Sequence, residues 1–362
     1  MRIPVVSASI SSCLRFRPSF LASLALLVCI PMLTLSCAKA QTGESKHLLI
    51  YTIDVEGGQS TLLVSPSGAS MLVDTGWPGN NGRDAVRIQA AMKDAGITQI
   101  DHVLITHFHT DHVGGVPELV KRVKVGEFLD HGPNREDSDI TRHDFAAYLK
   151  AIDGTPRRIV HPGDTIAIPG LKVVVLVADG EHIAAVPGIK PEPNPYCATE
   201  RAWPVDPSEN ARSNGVLVTF GKFEFLDLGD LTGAKEVALV CPNNPIGAVD
   251  LYLVDHHGMN LSNARALVDA IHPVASIMIN GAHKAGMPEA WQTVHDSPGM
   301  QDLYMLHTAE GSDAAHNSAE PLIANPKGIT TDGAYFKVVA SSSGAFSITN
   351  TRTGQTKDYR RK

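Results

Sequence analysis

Apolar and polar positions alternate in two successive series along the chain, and each series opens with β-rich runs and continues as strands alternating with helices. Short runs with a period of two predict strands, and apolar residues spaced three or four apart predict helices. In the first series the predicted strands are 48–55, 60–65, 70–74, 100–106, 125–130, 159–168 and 171–177, and the predicted helices are 81–95, 116–123 and 140–152.

The second series follows residue 214 and ends in a hairpin that joins 335–341 to 345–351. Its predicted strands are 215–220, 222–228, 251–254, 276–279 and 303–307, and its predicted helices are 234–240, 264–271 and 290–296. Two such series predict an α/β fold in which two sheets pack face to face with helices outside them.

Residues 181–214, between the two series, are rich in proline and show no clear period. Long irregular loops inside a compact domain usually have a function. We interpret this segment as a rim over a pocket, with a plain insertion as the alternative. Its candidate substrate contacts are Tyr196, Arg201, Trp203 and Arg212.

The chain begins with a segment that is typical of a secretory signal. Residues 1–40 contain four basic residues and no acid, an apolar run, and Ala38-Lys39-Ala40 before the expected cleavage site. The apolar run is short for a membrane span. We therefore expect a periplasmic or extracellular protein whose mature part, 41–362, is one domain with a C-terminal β-hairpin extension and no stable membrane span. Lipid attachment at Cys37 and an uncleaved anchor are the alternatives.

The net charge of the mature part indicates which substrates it disfavours, and its two cysteines raise the question of a disulfide. Removing four basic residues from the 31 of the whole chain leaves 27 against 38 acids, a net charge of −11. Such a surface disfavours long nucleic acid and favours a small-molecule or nucleotide-like substrate. The two remaining cysteines, Cys197 and Cys241, either pair in an oxidising compartment or stay as free thiols.

The strongest chemical signal is a dense group of metal-ligand side chains directly after predicted strand 100–106. His107 and His109 are two residues apart, so extended chain directs both side chains to one side. Asp111 and His112 follow at once, and Gly114-Gly115 lets the chain turn away. These nitrogen and oxygen donors suit two neighbouring divalent ions, and no CxxC motif offers a thiolate zinc site instead.

This stretch resembles the HxHxDH signature of the metallo-β-lactamase superfamily, and further motifs occur in the family's order. They are the strand ends at Asp74 and Asp230 and the late pair His256-His257. The resemblance covers roughly residues 47–310 and implies a four-layer αββα sandwich with two metal ions, zinc or alternatively manganese or iron. It also implies hydrolysis, with Asp111 and Asp230 as catalytic residues.

The resemblance implies a role for each of these side chains. His107 and His109 would bind the first ion, and Asp111, His112 and one of the late pair would bind the second, with His256 preferred over His257. Asp230 would bridge both ions, and Asp74 would hydrogen-bond a ligand histidine. Members with lactonase or glyoxalase activity place a third histidine before the bridging aspartate, but residues 205–214 contain none. We expect His283 to replace it, and the weaker candidates are His182, His131, Glu209 and Asn214.

Within the superfamily the chain looks most like the ComEC-type competence proteins and the exported phosphorylcholine esterases. Asp54-Val55-Glu56-Gly57-Gly58-Gln59 is similar to their DVGQGD opening, and His256-His257-Gly258 is similar to their HHGS motif. Ser60 and Met259 depart from these patterns. Asp230 stands where many zinc β-lactamases have cysteine, which disfavours that activity.

The resemblance to this branch therefore implies hydrolysis of a phosphodiester, and the acidic net charge favours a small diester over nucleic acid. Lys284 or Asn280 would stabilise the developing anion. Hydrolysis of a carboxylic ester, lactone or β-lactam is the alternative on the same site. A non-catalytic binding protein and a di-iron redox protein are the other two hypotheses.

Overall fold

Two β-sheets lie face to face in the computed structural model, which describes residues 47–328 and 333–361. The predicted signal, residues 1–40, lies outside these residues, so export stays a prediction. Within the described ranges, no helix has the length and apolar character that crossing a membrane requires.

The first half of the chain forms most of the first sheet and the helices that cover it. Its elements are β1 His47–Thr52, β2 Thr61–Val64, β3 Ser70–Val73, α1 Arg83–Ala95, β4 Gln99–Leu104, α2 Thr110–Val113, α3 Val116–Leu119, β5 Lys124–Asp130, α4 Asp139–Ala151 and β6 Arg157–Ile159.

The second half forms the second sheet and then returns to the first. Its elements are β7 Thr165–Ile166, β8 Lys172–Ala178, β9 Glu181–His182, β10 Glu192–Pro193, β11 Gly215–Phe220, β12 Phe223–Asp227, α5 Gly233–Val240, β13 Asn243–Asn244, β14 Leu251–Leu253, α6 Arg265–Ile271, β15 Ala275–Met278, α7 Pro288–His295, β16 Asp302–His307, β17 Ile323–Asn325, β18 Phe336–Ser341, β19 Ala345–Asn350 and β20 Thr356–Arg360.

The strand order explains how loops from both halves come together. The first sheet runs β20-β19-β18-β1-β2-β3-β4-β5-β6, and the second runs β17-β16-β15-β14-β12-β11-β8-β7, with β9 on β8. Strands β3 to β6 are parallel, as are β12, β14, β15, β16 and β17. In open α/β sheets, functional loops follow the carboxyl ends of parallel strands.

Three layers of apolar side chains confirm the four-layer αββα sandwich. Along β1, Leu48 and Ile50 pack between the sheets, whereas Tyr51 faces the helices outside the first sheet. Along β12, Phe223 and Phe225 pack between the sheets, and their neighbour Leu226 faces the helices outside the second sheet. Period-two alternation therefore places one set of side chains in the central layer and the other under the helices.

Two expectations about strands need correction. The predicted strand 159–168 is two strands, because the chain leaves the first sheet at Ile159 and enters the second at Thr165 through a turn at Pro162-Gly163. Gly163 has a φ of 94°, which favours glycine. The C-terminal hairpin is part of the first sheet, because β18 pairs with β1 along its whole length and β20 adds a further strand.

The proline-rich segment 181–214 contains only short elements and is tied to the second sheet's helical layer. A disulfide joins Cys197 to Cys241, which directly follows α5. Asn194 donates hydrogen bonds to the carbonyls of Val240 and Ala266. The sequence left the state of the cysteines open, and the structure pairs them.

We predict that Phe225→Ala destabilises the protein, because the ring is fully buried between the two sheets. Loss of the ring and the cavity it leaves should lower the free energy of unfolding by about 3–5 kcal/mol, measured by urea denaturation. Val205→Ala is the control, since Val205 is 89% exposed. Equal stability of the two variants would contradict the central position of Phe225.

Candidate metal centre

Three loops at carboxyl ends of parallel strands bring the predicted ligands together. His107 and its neighbours follow β4, Asp230 follows β12, and the His256-His257 pair follows β14. Gly229 allows the loops to approach closely, because a Cβ there would lie 2.9 Å from Thr106 Cβ and its φ is 62°. The Gly229 carbonyl also accepts a hydrogen bond from His256 N, at 2.9 Å.

One half of the centre consists of Asp111, His112, Asp230 and His257, whose ligand atoms all lie within 4.8 Å of one another. His112 Nε2 is 3.3 Å from Asp111 Oδ2 and 3.2 Å from Asp230 Oδ2. His257 Nε2 is 3.2 Å from Asp111 Oδ2 and 3.3 Å from Asp230 Oδ1. Two imidazoles and two carboxylates at these separations form a donor set for a divalent ion.

The other half of the centre is built on His107 and His109. His107 Nε2 and His109 Nδ1 face each other at 3.0 Å, and His107 Nε2 is 4.0 Å from Asp230 Oδ2. The far nitrogen of His109, Nε2, pairs with Glu136 Oε2 at 2.9 Å. Glu136 thereby fixes the ring so that Nδ1 faces the neighbouring histidine.

His257, not His256, completes the set with Asp111 and His112, which corrects the expected preference for His256, and we assign His256 to the half with His107. His256 Nε2 is 3.5 Å from Asp230 Oδ2, an oxygen that His107 and His112 also approach, and it lies outside the group formed by Asp111, His112, Asp230 and His257. His256 Nδ1 is 3.1 Å from Ser262 Oγ, and in the tautomer that has its proton on Nδ1 the Nε2 lone pair faces the centre. Burial lowers the pKa of His256 to about 4, which keeps the ring neutral near pH 7. Both His256 and His257 have positive φ, and this turn directs the two rings to different sides of Asp230.

Charge holds the centre together. Burial alone would lower the pKa of His112, but the carboxylates of Asp230, Asp111 and Asp74 outweigh burial and hold that pKa well above its usual value. Burial alone would raise the pKa of Asp230, but His112, His257 and His256 hold it well below its usual value. Asp230 Oδ1 accepts no hydrogen bond, although it is buried. A buried carboxylate oxygen surrounded by imidazole nitrogens fits a divalent cation.

Asp74 orients His112 as expected. Asp74 Oδ2 is 2.7 Å from His112 Nδ1, and the carboxylate also accepts from the backbone N and the hydroxyl of Thr106. Because the carboxylate accepts a hydrogen bond from Nδ1–H, the Nε2 lone pair of a neutral His112 faces the centre. This contact also ties β3 to the loop after β4.

The loop of residues 54–59, which has the sequence DVEGGQ, packs against the loop of predicted ligands that follows β4. Gln59 N donates to the Asp111 carbonyl at 3.1 Å, and Gln59 Nε2 lies 3.0 Å from both oxygens of Asp227. A Cβ on Gly58 would lie 2.4 Å from the Asp111 carbonyl oxygen, so this close approach requires glycine. The loop therefore has a structural contact with a predicted ligand.

A second group of possible ligands, Asp54, Glu56 and His307, lies at the start of this loop. Arg87 Nη1 is 3.1 Å from Asp54 Oδ2 and 3.2 Å from Glu56 Oε1, and His307 Nε2 is 2.8 Å from Asp54 Oδ1. The guanidinium already pairs with both carboxylates, and His307 pairs with Asp54. We interpret the group as an ion-pair network that anchors the loop to β16.

His283 is not brought to the centre, which corrects its expected role as third ligand. Its side chain is 68% exposed and pairs with Glu310 at 3.3 Å. The next residue, Lys284, faces the centre instead: its ammonium pairs with Asp111 Oδ2 and lies 5.1 Å from the centroid of the Trp77 ring. Asn280 is fully buried and donates to the His307 carbonyl, so its amide has a structural contact.

The weaker candidates for the third ligand also have other partners or positions. Glu209 accepts hydrogen bonds from His131 Nε2, Phe108 N and Arg135 N, which accounts for both Glu209 and His131. Asn214 donates to the Ile105 carbonyl at 2.8 Å. His182 lies on the exposed strand β9.

Arg201 and Trp203 line a separate cleft of about 400 Å³ rather than the metal centre. The Arg201 guanidinium stacks over the Trp203 ring at 3.9 Å and pairs with Glu289 at 2.8 Å. Ser262 also lines this cleft and is the residue that contacts His256 Nδ1. Through Ser262 the cleft reaches the Nδ1 side of His256. Among the described residues, Arg201 and Trp203 make no hydrogen bond or ion pair with the predicted ligands.

Sequence reasoning missed Glu136, Ser262 and Asn210. Glu136 contacts His109, Ser262 contacts His256 Nδ1, and the Asn210 amide lies 3.4 Å from His256 Nε2. Ser262 follows the late histidine pair closely, and Asn210 occupies the window in which a histidine was sought. No sequence pattern indicated the role of Glu136, because it lies in the irregular loop between β5 and α4.

The fold is that of the metallo-β-lactamase sandwich, and the centre resembles the metal site that the sequence motifs imply. The model of the metallo-beta-lactamase superfamily matches residues 53–196, which are less than half of the chain. The match includes the His107 to His112 motif. The roles of the individual side chains as metal ligands remain predictions.

Curated relatives align with short parts of the chain. A lactamase-like protein, notP of an Aspergillus species, is 32% identical over 109 residues, which cover 29% of this chain and 32% of that protein. The ribonuclease Z of Methanopyrus kandleri is 32% identical over 122 residues, or 33% and 39% of the two chains. The atrochrysone carboxyl ACP thioesterase of Aspergillus terreus is 38% identical over 64 residues, or 18% and 19%. The chain thus spans less than two fifths of each relative's length.

Solved structures resemble the chain at low identity. The metallo-beta-lactamase fold protein YhfI of Bacillus subtilis is 11% identical with a TM-score of 0.43, over 71% of this chain and 96% of that one. A diphosphatase of the PhnP family is 15% identical with a TM-score of 0.37, over 71% and 94%. CmlA, a diiron β-hydroxylase of Streptomyces venezuelae, is 18% identical with a TM-score of 0.39, over 68% and 46%.

We predict that His256→Ala lowers the amount of tightly bound zinc from two ions per chain to about one, because it removes a neutral nitrogen from the His107 half of the centre. His283→Ala should keep both ions, since that side chain is exposed. Elemental analysis after dialysis against a weak chelator measures both. Zinc loss in the His283 variant with retention in the His256 variant would reverse the assignment.

We also predict that zinc binding at pH 7 releases about one proton from His112, since its raised pKa keeps the metal-free ring charged and the ligand must be neutral. Zinc affinity should therefore rise with pH up to the pKa of His112 in the folded protein. Calorimetric titration in two buffers of different ionisation enthalpy measures the released proton. Asp74→Asn removes one carboxylate that raises this pKa and should release less. Identical heats in both buffers for the unmodified protein would contradict the charge assignment.

Proposed function

We propose that this chain is an exported hydrolase with two divalent metal ions, and that it cleaves a phosphodiester bond in a small substrate. The observation that carries the proposal is the position of Asp230. Its two carboxylate oxygens lie between the His107 half and the Asp111 half of the centre. One carboxylate in contact with two donor sets is the arrangement that holds a pair of ions.

The side chains that would hold the ions are divided by Asp230. His107 Nε2, His109 Nδ1 and His256 Nε2 would hold one ion, and Asp111, His112 and His257 would hold the other, with Asp230 shared. Two bound ions would lower the pKa of a water toward about 7 and polarise the bond that is cleaved. Zinc fits the nitrogen-rich set best, and manganese or iron also accept these donors.

The surrounding residues prepare the site for an anionic substrate. Asp74 and Glu136 fix the tautomers of His112 and His109. Lys284, one third exposed at the edge of the centre, contributes a positive charge where a phosphoryl group would gain negative charge. Trp77 lies beneath the ammonium and limits where it can move.

Several observations favour a small phosphodiester. Phosphoryl transfer suits two ions that stabilise the attacking and the leaving oxygen. A ribonuclease Z is among the relatives, although the alignment is short. The net charge of −11 expected for residues 41–362, 27 basic against 38 acidic, disfavours long nucleic acid. The DVEGGQ loop and the His256-His257-Gly258 turn support placement near the ComEC-type and phosphorylcholine esterase branch.

Export is supported by the disulfide between Cys197 and Cys241, since such bonds persist in oxidising compartments. It is also supported by the signal-like residues 1–40. Lipid attachment at Cys37 would anchor the same domain to a membrane surface.

Hydrolysis of a carboxylic ester, lactone or β-lactam is the second candidate. The alignment with an atrochrysone carboxyl ACP thioesterase favours it, because that name describes acyl-ester chemistry. The same centre would polarise a carbonyl oxygen. The short overlap, 19% of that thioesterase, gives this candidate less support.

We predict turnover of bis-p-nitrophenyl phosphate by the zinc-loaded protein and much slower turnover of lactones and p-nitrophenyl esters. Asp230→Ala should abolish this activity, because it removes the shared carboxylate, and should leave the far-UV circular dichroism unchanged. Lys284→Ala should lower kcat about 10²-fold, the effect of losing one group that stabilises the transition-state charge. Asp313→Ala is the control, on an exposed carboxylate. Full activity in the Asp230 variant, or hydrolysis of esters alone, would contradict the proposal.

A further inference from the structure

Asn210 occupies an unusual position in the centre. It lies in the short 3₁₀ helix Glu209–Arg212, in the window where related enzymes supply a histidine. Only 8% of its surface is exposed. Its Nδ2 is 3.4 Å from His256 Nε2, and its Oδ1 is buried without a hydrogen-bond partner.

The backbone around Asn210 is held firmly. Asn210 N donates to Ser208 Oγ at 3.3 Å, and its carbonyl accepts from Ser213 N at 3.1 Å. The preceding carboxylate, Glu209, is buried and accepts three hydrogen bonds. Ser213 Oγ accepts from Asp230 N at 3.2 Å. The segment therefore fixes the place of the Asn210 carboxamide relative to the bridging aspartate.

The contacts of the carboxamide do not explain its burial. The Nδ2 to His256 contact is long, and the same Nε2 lone pair is the one that would bind a metal ion. When His256 serves as a ligand, both ends of the Asn210 amide lack a protein partner among the contacts of the described residues. Buried amides are normally hydrogen-bonded, so such a group points to a ligand.

Asn214, four residues later, is the useful contrast. Its Nδ2 donates to the Ile105 carbonyl at 2.8 Å, and its backbone N donates to the Thr106 carbonyl at 2.8 Å. That amide therefore connects the segment to the loop after β4. Within the part of the chain that the structure describes, the Asn210 side chain has no comparable contact with backbone, which points to a different role.

We infer that Asn210 is a substrate-contacting residue whose Nδ2 donates a hydrogen bond to a non-bridging oxygen of the scissile phosphoryl group. The inference rests on the proposed function and extends it to a donor beside His256, whereas Lys284 pairs with Asp111. A neutral donor and a cation on two sides of the centre would hold a phosphoryl group in one orientation. The donor also discriminates against substrates that present no oxygen at this position.

The test compares Asn210→Ala and Asn210→Asp with the full chain, all loaded with zinc. The Asp variant preserves the size of the side chain and removes both N–H donors, so it guards against a folding defect in the Ala variant. Asn260→Ala is the control, because its side chain accepts only a helix-start hydrogen bond from Ala290 N. The measurements are kcat and KM on bis-p-nitrophenyl phosphate, zinc per chain, and calorimetric affinity for inorganic phosphate.

We expect both variants to keep the zinc content of the unmodified chain and to lose about 10²-fold in kcat. Phosphate affinity should fall about tenfold, and the Asn260 variant should match the unmodified chain. Unchanged kcat and phosphate affinity would overturn the inference, and so would loss of zinc, which would make Asn210 a ligand or a support of His256. If the unmodified chain hydrolyses only esters, the proposed phosphodiester function fails. A matching loss of kcat on the ester would still support Asn210 as the donor.

Discussion

The carboxylate of Asp230 is the constraint on which the rest of the site depends. It is buried, and one of its oxygens accepts no hydrogen bond. An isolated carboxylate would be expensive to bury, so the fold must bring compensating groups to it from several directions. Four imidazoles from two separate loops approach it at 3.2–4.0 Å and supply that compensation.

The sandwich makes this convergence possible. Parallel strands β3, β4, β12 and β14 end at the same edge of the two sheets, and each is followed by a loop that contributes a side chain. Local backbone geometry then adjusts the loops. Gly229 allows contact with Thr106, and the positive φ values of His256 and His257 turn two adjacent rings to opposite halves. Asp74, Glu136 and Ser262 complete the arrangement by fixing the ring nitrogens.

Much of this arrangement follows from local sequence pattern. The alternation of apolar residues predicted most strands and the layer architecture, because period-two burial places alternate residues on opposite faces. The spacing of His107, His109, Asp111 and His112 likewise predicted the cluster. Strand 159–168 was wrong because apolar residues continue on both sides of the Pro162-Gly163 turn, so periodicity alone does not show the change of sheet.

The errors at the site have a similar physical origin. The loop after β15 does reach the centre, as expected from the strand end, but its backbone turns Lys284 inward and His283 outward. Backbone dihedral angles decide which of two neighbouring residues faces a site, and the spacing of residues along the sequence does not give these angles. The same applies to His256 and His257. Glu136 and Asn210 lie on irregular segments, where neither helical nor strand periodicity indicates direction.

In the proposed centre the Asp230 carboxylate is shared by two ions, and each ion has one histidine of the His256-His257 pair. Anomalous diffraction at the zinc absorption edge, from crystals of the zinc-loaded chain, tests this most directly. We predict two anomalous peaks beside Asp230. One should lie next to His107, His109 and His256, and the other next to Asp111, His112 and His257. A single peak, or two peaks with the His256 ring turned away from both, would contradict it.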